Sequence, residues 1–262
     1  MKLIIKNIFI CGLLTLLGCR KVIKTAIKEI SENSIEKEVK VISKETVKNI
    51  FPKVIKSKEQ HIIKLGFDTE VTKKNVLKVF SKDNNLLAEI RGNIVTSTPG
   101  YNRKSMNKFL DQRNLLPNSI YKIENFIYKT DKFGRVTEAS TSVFPKSIMK
   151  KPRSSYRQSK GNYEKNGILD VDDGGHLFAN QLGGISEIIN IVPQNKILNR
   201  RAWKIQENFI LENKRFIKNY KINLLYNSSG AKRPKEMIMS YEFKGEKITK
   251  VFKNENRILK IE

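Results

Sequence analysis

The chain has 262 residues and carries 51 Lys and Arg against 26 Asp and Glu, a formal charge of +25 with a sequence pI near 9.9. That length buries one good core, or one domain with an extension. The cysteines, Cys11 and Cys19, lie in the N-terminal segment, so the body of the chain has no thiol for a disulfide framework, a thiolate metal site or a cysteine nucleophile. A field this basic draws polyanions and raises their encounter rate, although with only 12 arginines a bias toward Lys, Ile and Asn accounts for part of the charge.

Lys2 and Lys6 precede a short apolar run from Ile8 to Leu17 that ends in Leu16-Leu17-Gly18-Cys19. The run is too short to span a bilayer and has the charged start and small-residue end of an export signal. Its ending resembles the lipobox of bacterial lipoproteins. The resemblance implies removal of residues 1–18, lipidation of Cys19 and tethering through acyl chains to a membrane outside the cytoplasm, the outer membrane if the cell has two. An ordinary signal peptide or an uncleaved anchor is the alternative.

From 19 to 65 the chain is rich in Lys, Glu, Ile and Val, and Ile23, Ile27 and Ile30, then Ile35, Val39 and Ile42, recur at helical steps. This predicts a helical stalk or linker, broken at Pro52. A coiled partner-binding segment is the weaker reading because no strict heptad holds. His61 lies here without a second metal-ligand type beside it, and reads as a surface or packing residue. Residues 66–114 form a small accessory region, with strands expected at 75–80, 85–90 and 93–95 and helix-forming residues from 105 to 115.

A compact domain is expected over 115–255, followed by a tail at 256–262. Residues 119–128 and 135–139, joined by Asp131-Lys132-Phe133-Gly134, predict a β-hairpin. The polar, basic segment 145–169 reads as a long surface loop, which in a compact domain is often functional. A helix is expected to open near Asn199 and run to about Lys214, with strands at 222–226, 237–243 and 248–252.

Chemistry concentrates in Asp172-Asp173-Gly174-Gly175-His176-Leu177, Asn190-Ile191-Val192-Pro193-Gln194 and Asn199-Arg200-Arg201-Ala202-Trp203. One of only two histidines in the chain sits there. On a helix Asn199, Trp203 and Glu207 form a stripe at i, i+4, i+8. An amide oxygen at the head of that helix is a hard donor suited to Mg²⁺, which keeps several waters and needs few protein ligands. His176 is then the general base for an attacking water, a sufficient kit for metal-assisted phosphodiester hydrolysis. Taken singly, His176 could be a turn residue, Asn199 a helix cap and Trp203 core.

The order Asp173-Gly174-Gly175-His176-Leu177-Phe178-Ala179, Leu182-Gly183-Gly184, Asn190 to Gln194, Asn199-Arg200, Trp203 and Glu207, with Tyr128 to Val136 upstream, resembles the DNA/RNA non-specific endonucleases of the ββα-metal (His-Me finger) fold. The resemblance implies an α+β fold: a ββα-metal core with a mostly antiparallel sheet and a metal-bearing helix, preceded here by the helical N-terminal extension. It implies His176 as general base, Asn199 as direct ligand of Mg²⁺ (with Mn²⁺ as a substitute), Asn190 steadying the site and Glu207 holding metal-bound water. Many members have Arg where this chain has Gly174. Arg157 is the first candidate to replace it, then Arg153, with Arg200 and Arg201 as further substrate-binding cations. The expected activity is an exported, Mg²⁺-dependent endonuclease acting on DNA, RNA or both without sequence specificity, because phosphate contacts carry no sequence information. The alternatives are a non-catalytic basic lipoprotein that binds nucleic acid or anionic envelope polymers, and the nuclease domain of an antibacterial toxin, for which an immunity or inhibitor protein would be a partner.

Overall fold

The computed structural model describes residues 55–100, 106–146 and 155–255. Cys19, Arg153, the stalk up to residue 54 and the tail from 256 lie outside the described residues. Residues 55–64 form helix α1, which buries Ile55 and Ile62.

Ten strands make one sheet in the order β1-β2-β3-β4-β5-β6-β7-β10-β11-β12. They are β1 (Asp68–Val71), β2 (Leu77–Phe80), β3 (Leu86–Arg91), β4 (Ile94–Ser97), β5 (Ile120–Ile123), β6 (Phe126–Thr130), β7 (Val136–Val143), β10 (Ile217–Leu225), β11 (Glu236–Phe243) and β12 (Glu246–Lys253). All neighbours are antiparallel except β4 and β5. The parallel β4–β5 pairing, Ile94 opposite Ile120, carries the hydrogen-bonded ladder across the expected division near residue 114. The expected hairpin is present as β6–β7, with the Asp131 carboxylate accepting the Phe133 and Arg135 N–H groups to close the turn. The strand expected as one run over 119–128 is instead split into β5 and β6 by a turn at Glu124, whose φ is 51°.

Two expectations fail for local reasons. Between 106 and 115 the chain makes turns rather than helix: the Asn107 side chain binds backbone oxygens of Leu87 and Thr98 and receives the Phe109 N–H, a local competition that polar amides often win against helix. Conversely, the expected loop 145–169 contains helix α2 (Ser155–Glu164). Its sequence is polar on nearly every face, so no apolar stripe announced it, and it packs through a glycine, Gly161, against Ile191.

A separate two-stranded ribbon, β8 (Asp172–His176) with β9 (Ile191–Asn195), lies under α2. The register places Gly175 opposite Val192 and His176 opposite Ile191. An aromatic cluster joins the main sheet to the segment after the ribbon: Phe178 meets Phe126 at 4.3 Å, Tyr128 at 5.8 Å and Tyr220 at 5.7 Å between ring centroids. Rings at such distances add to their burial energy, and they fix where the chain leaves His176.

Candidate active site

β9 runs directly into a helix. Asn195 caps it, its Oδ1 accepting the Ile197 and Leu198 N–H groups at 3.0 and 3.3 Å. One turn (Lys196–Leu198) is followed by a π turn (Asn199–Trp203) and then helix α3 (Lys204–Asn213). Asn195 is itself held, because its N–H donates to Asn254 Oδ1 at 2.7 Å, and Asn254 donates onward to the Pro193 and Pro234 carbonyls. The position of Asn199 therefore follows from a capped helix start locked to the end of the ribbon.

Successive side chains of β8 point to opposite faces, and its first two carboxylates take different partners. Asp172, buried, forms a two-pronged pair with Arg233 at 2.6 and 2.8 Å and accepts the Ile168 N–H. Asp173 accepts both Arg200 Nε (2.8 Å) and Nη2 (2.9 Å), and also Asn199 Nδ2 at 3.2 Å. Burial works to raise the Asp173 carboxyl, but the hydrogen bonds from Arg200 and Asn199 outweigh it and hold the carboxyl below its usual range. The structure thus brings Asp173, Asn199 and Arg200 together. Arg201 is exposed on the same π turn.

His176 ends β8 and is largely buried. Gln158, on α2, places Nε2 at 3.3 Å from His176 Nδ1 and 3.2 Å from the Gly174 carbonyl oxygen. Nothing in the sequence signals Gln158, since it lies in a polar segment with no periodic mark. The same contact explains Gly174. A Cβ there would lie 2.0 Å from the Gln158 carbonyl oxygen, so no side chain, arginine included, fits while α2 covers the strand. The arginine that the sequence resemblance would place at this position has no room beneath the helix.

Asn190 is fully buried with its amide saturated. Its Oδ1 accepts the Tyr128 hydroxyl (3.1 Å) and the Phe178 N–H (3.0 Å), while Nδ2 donates to the Phe178 and Ile185 carbonyls. It ties together the two chain segments flanking His176 and offers no polar atom to a substrate. Arg157 is also engaged: it is ion-paired with Asp111, which Lys160 contacts as well at 3.3 Å. Its charge is matched inside the fold. Trp203 is core, stacked edge-on against Phe252 at 5.1 Å. Glu207, one turn on, is part-buried with Lys204 Nζ at 3.8 Å. After burial itself, its charge is what pushes the Tyr220 phenol up.

Among the described residues no group of three or more His, Cys, Asp or Glu could hold a metal. The hard donor presented here is the Asn199 amide oxygen. Asn199 turns its Nδ2 to Asp173, which leaves Oδ1, a hard donor, on the other side of the amide. That set fits an oxygen-loving divalent cation that retains water better than a soft metal.

Residues 117–245, just under half of the chain, match the model of the family described as DNA/RNA non-specific endonuclease. The match runs from β5 to β11 and includes Gln158, Asp173, His176, Asn190, Asn199 and Glu207, but not Asp111 or Asn254. The type VII secretion system protein EssD of Staphylococcus aureus strain USA300 is 33% identical over 87 residues, and that of strain NCTC 8325 is equally so. The alignment spans 30% of this chain and 14% of EssD. Among solved structures, NucA from Streptococcus agalactiae with magnesium bound is similar at 12% identity and a TM-score of 0.38, over 74% of this chain and 87% of NucA. Sda1 nuclease with bound zinc gives 16% identity and a TM-score of 0.36, over 52% of this chain and 76% of Sda1. Neither superposition is close enough to transfer a residue role or a metal.

Proposed function

We propose that this chain is an endonuclease that hydrolyses DNA or RNA without sequence specificity, with His176 as general base. The observation that carries the proposal is the divided site. The imidazole ends one ribbon strand under Gln158, and the Asn199–Asp173 pair stands at the head of the helix that follows the other strand. The match over residues 117–245 supports the class of activity.

In this reading His176 takes the proton of a water attacking the phosphorus. Gln158 orients the ring, and Asn190 keeps the strand end and the chain after it in register. Asn199 would hold a divalent cation, Mg²⁺ by its hard donor set, and Glu207 would steady the water around it. When bound, the cation offsets the charge that builds on the phosphoryl oxygens and the leaving oxygen. Asp173 fixes the Asn199 amide so that Oδ1 is presented without a search over rotamers. Arg201, exposed beside Asn199, supplies the phosphate contact more readily than Arg157, which must first leave Asp111. Export and lipid anchoring at Cys19 complete the proposal, since an unselective nuclease outside the cytoplasm spares the chromosome of the cell that makes it.

The test is digestion of plasmid DNA and of RNA with Mg²⁺, with EDTA, and by His176→Ala. Cleavage that requires the cation and is lost in the variant supports the mechanism. Cleavage that survives both treatments overturns it, and binding without any cleavage makes the protein a non-catalytic polyanion binder. Incorporation of radiolabelled palmitate that disappears in Cys19→Ala checks the anchor.

A further inference from the structure

Behind the ribbon, three cations hydrogen-bond only to neutral oxygens among the described residues. Arg113 Nη2 donates to the Asn166 side-chain oxygen at 3.2 Å, and Lys232 Nζ to that of Asn114 at 2.6 Å. Lys165, buried, donates to the carbonyls of Ile188 (2.7 Å) and Ile191. All three line one narrow cavity with Arg135. Of the carboxylates around it, Asp131 is paired with Arg135 of the cavity wall, Asp111 with Arg157 and Lys160, and Glu164 with Lys160, while Glu255 lines the cleft next to it. Lys232 is held below its usual range by burial first and by the Arg113 charge second, with Glu164 opposing. Arg113 and Lys232 thus bring like charge together with amide oxygens rather than carboxylates as hydrogen-bond partners, an arrangement that an added phosphate relieves.

We propose that Arg113 and Lys232 form a second phosphate-binding site, taking a backbone phosphate of the polynucleotide several nucleotides from the bond that is cut. The cavity itself holds little more than a water, so the phosphate sits at its mouth. There Lys232 also borders an open cleft of about 520 Å³ lined by Lys235, Asn166 and Asn227. The site is distinct from the catalytic one. Arg233, next to Lys232, grips Asp172, whereas Asn199 is gripped by Asp173, on the opposite face of β8. A contact so placed binds substrate and transition state alike. It lowers KM for long substrates and leaves kcat alone.

The proposal rests on the nuclease reading, and the experiment separates the two. The full chain with Arg113→Gln and Lys232→Gln together is compared with wild type on a long duplex and on a dinucleotide-sized phosphodiester. A KM raised roughly five- to twentyfold on the duplex, with kcat and the short substrate unchanged, is the expected result, since a lost phosphate contact weakens binding without touching chemistry. Binding of a labelled duplex to the His176→Ala chain, with and without the paired substitution, needs no catalysis. The slope of log affinity against log salt is expected to be shallower by about one in the paired variant. Unchanged KM and salt slope overturn the proposal, as does equal loss on the short substrate. If inorganic phosphate raises the melting temperature of wild type and not of the paired variant while duplex affinity is unaffected, the site takes small phosphates and the polynucleotide assignment fails.

Discussion

Strand β11 alternates buried Met237, Met239 and Tyr241 with half-exposed Ile238, Ser240 and Glu242, whereas β9 buries all five of its residues, two of them amides. The first is a sheet strand with one core face and one wet face, held by non-directional apolar burial. The second lies in a ribbon enclosed by α2 on one side and the main sheet on the other, and several of that ribbon's polar groups are held by named partners. Asn195 has Asn254, Asp172 has Arg233, and Gly174 has the carbonyl of Gln158 where a side chain would be. Substitutions in such a ribbon act through geometry, and those on the outer sheet face act hardly at all.

The largest effect expected from breaking that contrast is at Asn199. Asn199→Ala removes the proposed metal donor and should lower kcat by about two to four orders of magnitude. Isothermal titration with Mg²⁺ should show weakened binding while the circular dichroism spectrum is unchanged. Retained activity would place the cation elsewhere.

Gly174→Ala comes next. Its Cβ would meet backbone rather than a movable side-chain tip, so α2 must lift from the ribbon. A loss of roughly 2–4 kcal/mol in denaturant unfolding is expected, together with loss of activity as Gln158 leaves His176.

A third probe uses pH. Burial pushes the Lys165 ammonium down from 10.5 to about 7, against the raising influence of Glu164 and Asp111. Between those values the unfolded chain holds the proton and the folded chain releases it. Folding stability from this group therefore rises as pH climbs from about 7 to about 10, and is lowest below 7. The melting temperature of wild type should increase over that window, and Lys165→Met should remove the increase. The smallest effect is expected on the outer face, where exposed Thr249→Val on β12 should change stability by less than about 0.5 kcal/mol and leave cleavage intact.

Legibility followed the same division. The alternation in Ile222, Leu224, Met237, Met239 and Tyr241 reports a strand because solvent lies on one side only. β8, Asp-Asp-Gly-Gly-His, has no alternation to read, and its residues are visible only as chemistry. α2 is hidden for a related reason. It docks through Gly161 and through the backbone of Gln158, so its buried face carries no apolar signal. Gln158, a polar contact of the His176 ring, is correspondingly invisible, while His176, Asn190 and Asn199 stand out by residue type and order. Arg157 stood out too, but charge in a sequence does not show which carboxylate waits for it, and Asp111 is 46 positions away in the chain.

The sequence by itself determined the basic field, most of the sheet strands and the set of polar residues able to do hydrolytic chemistry, because these depend on residue type and on short-range periodicity. The tertiary structure alone decided which polar groups are engaged and which are presented. Asn190 is consumed by four hydrogen bonds, Arg157 by an ion pair and Gly174 by a covering helix, whereas Asn199 keeps its oxygen and Arg113 and Lys232 keep their charge. The physical reason is that availability for function is set by what desolvates and neutralises a group. In this fold those neighbours come from α2, the β10–β11 loop and the turns after β4, segments far from the site residues in the chain.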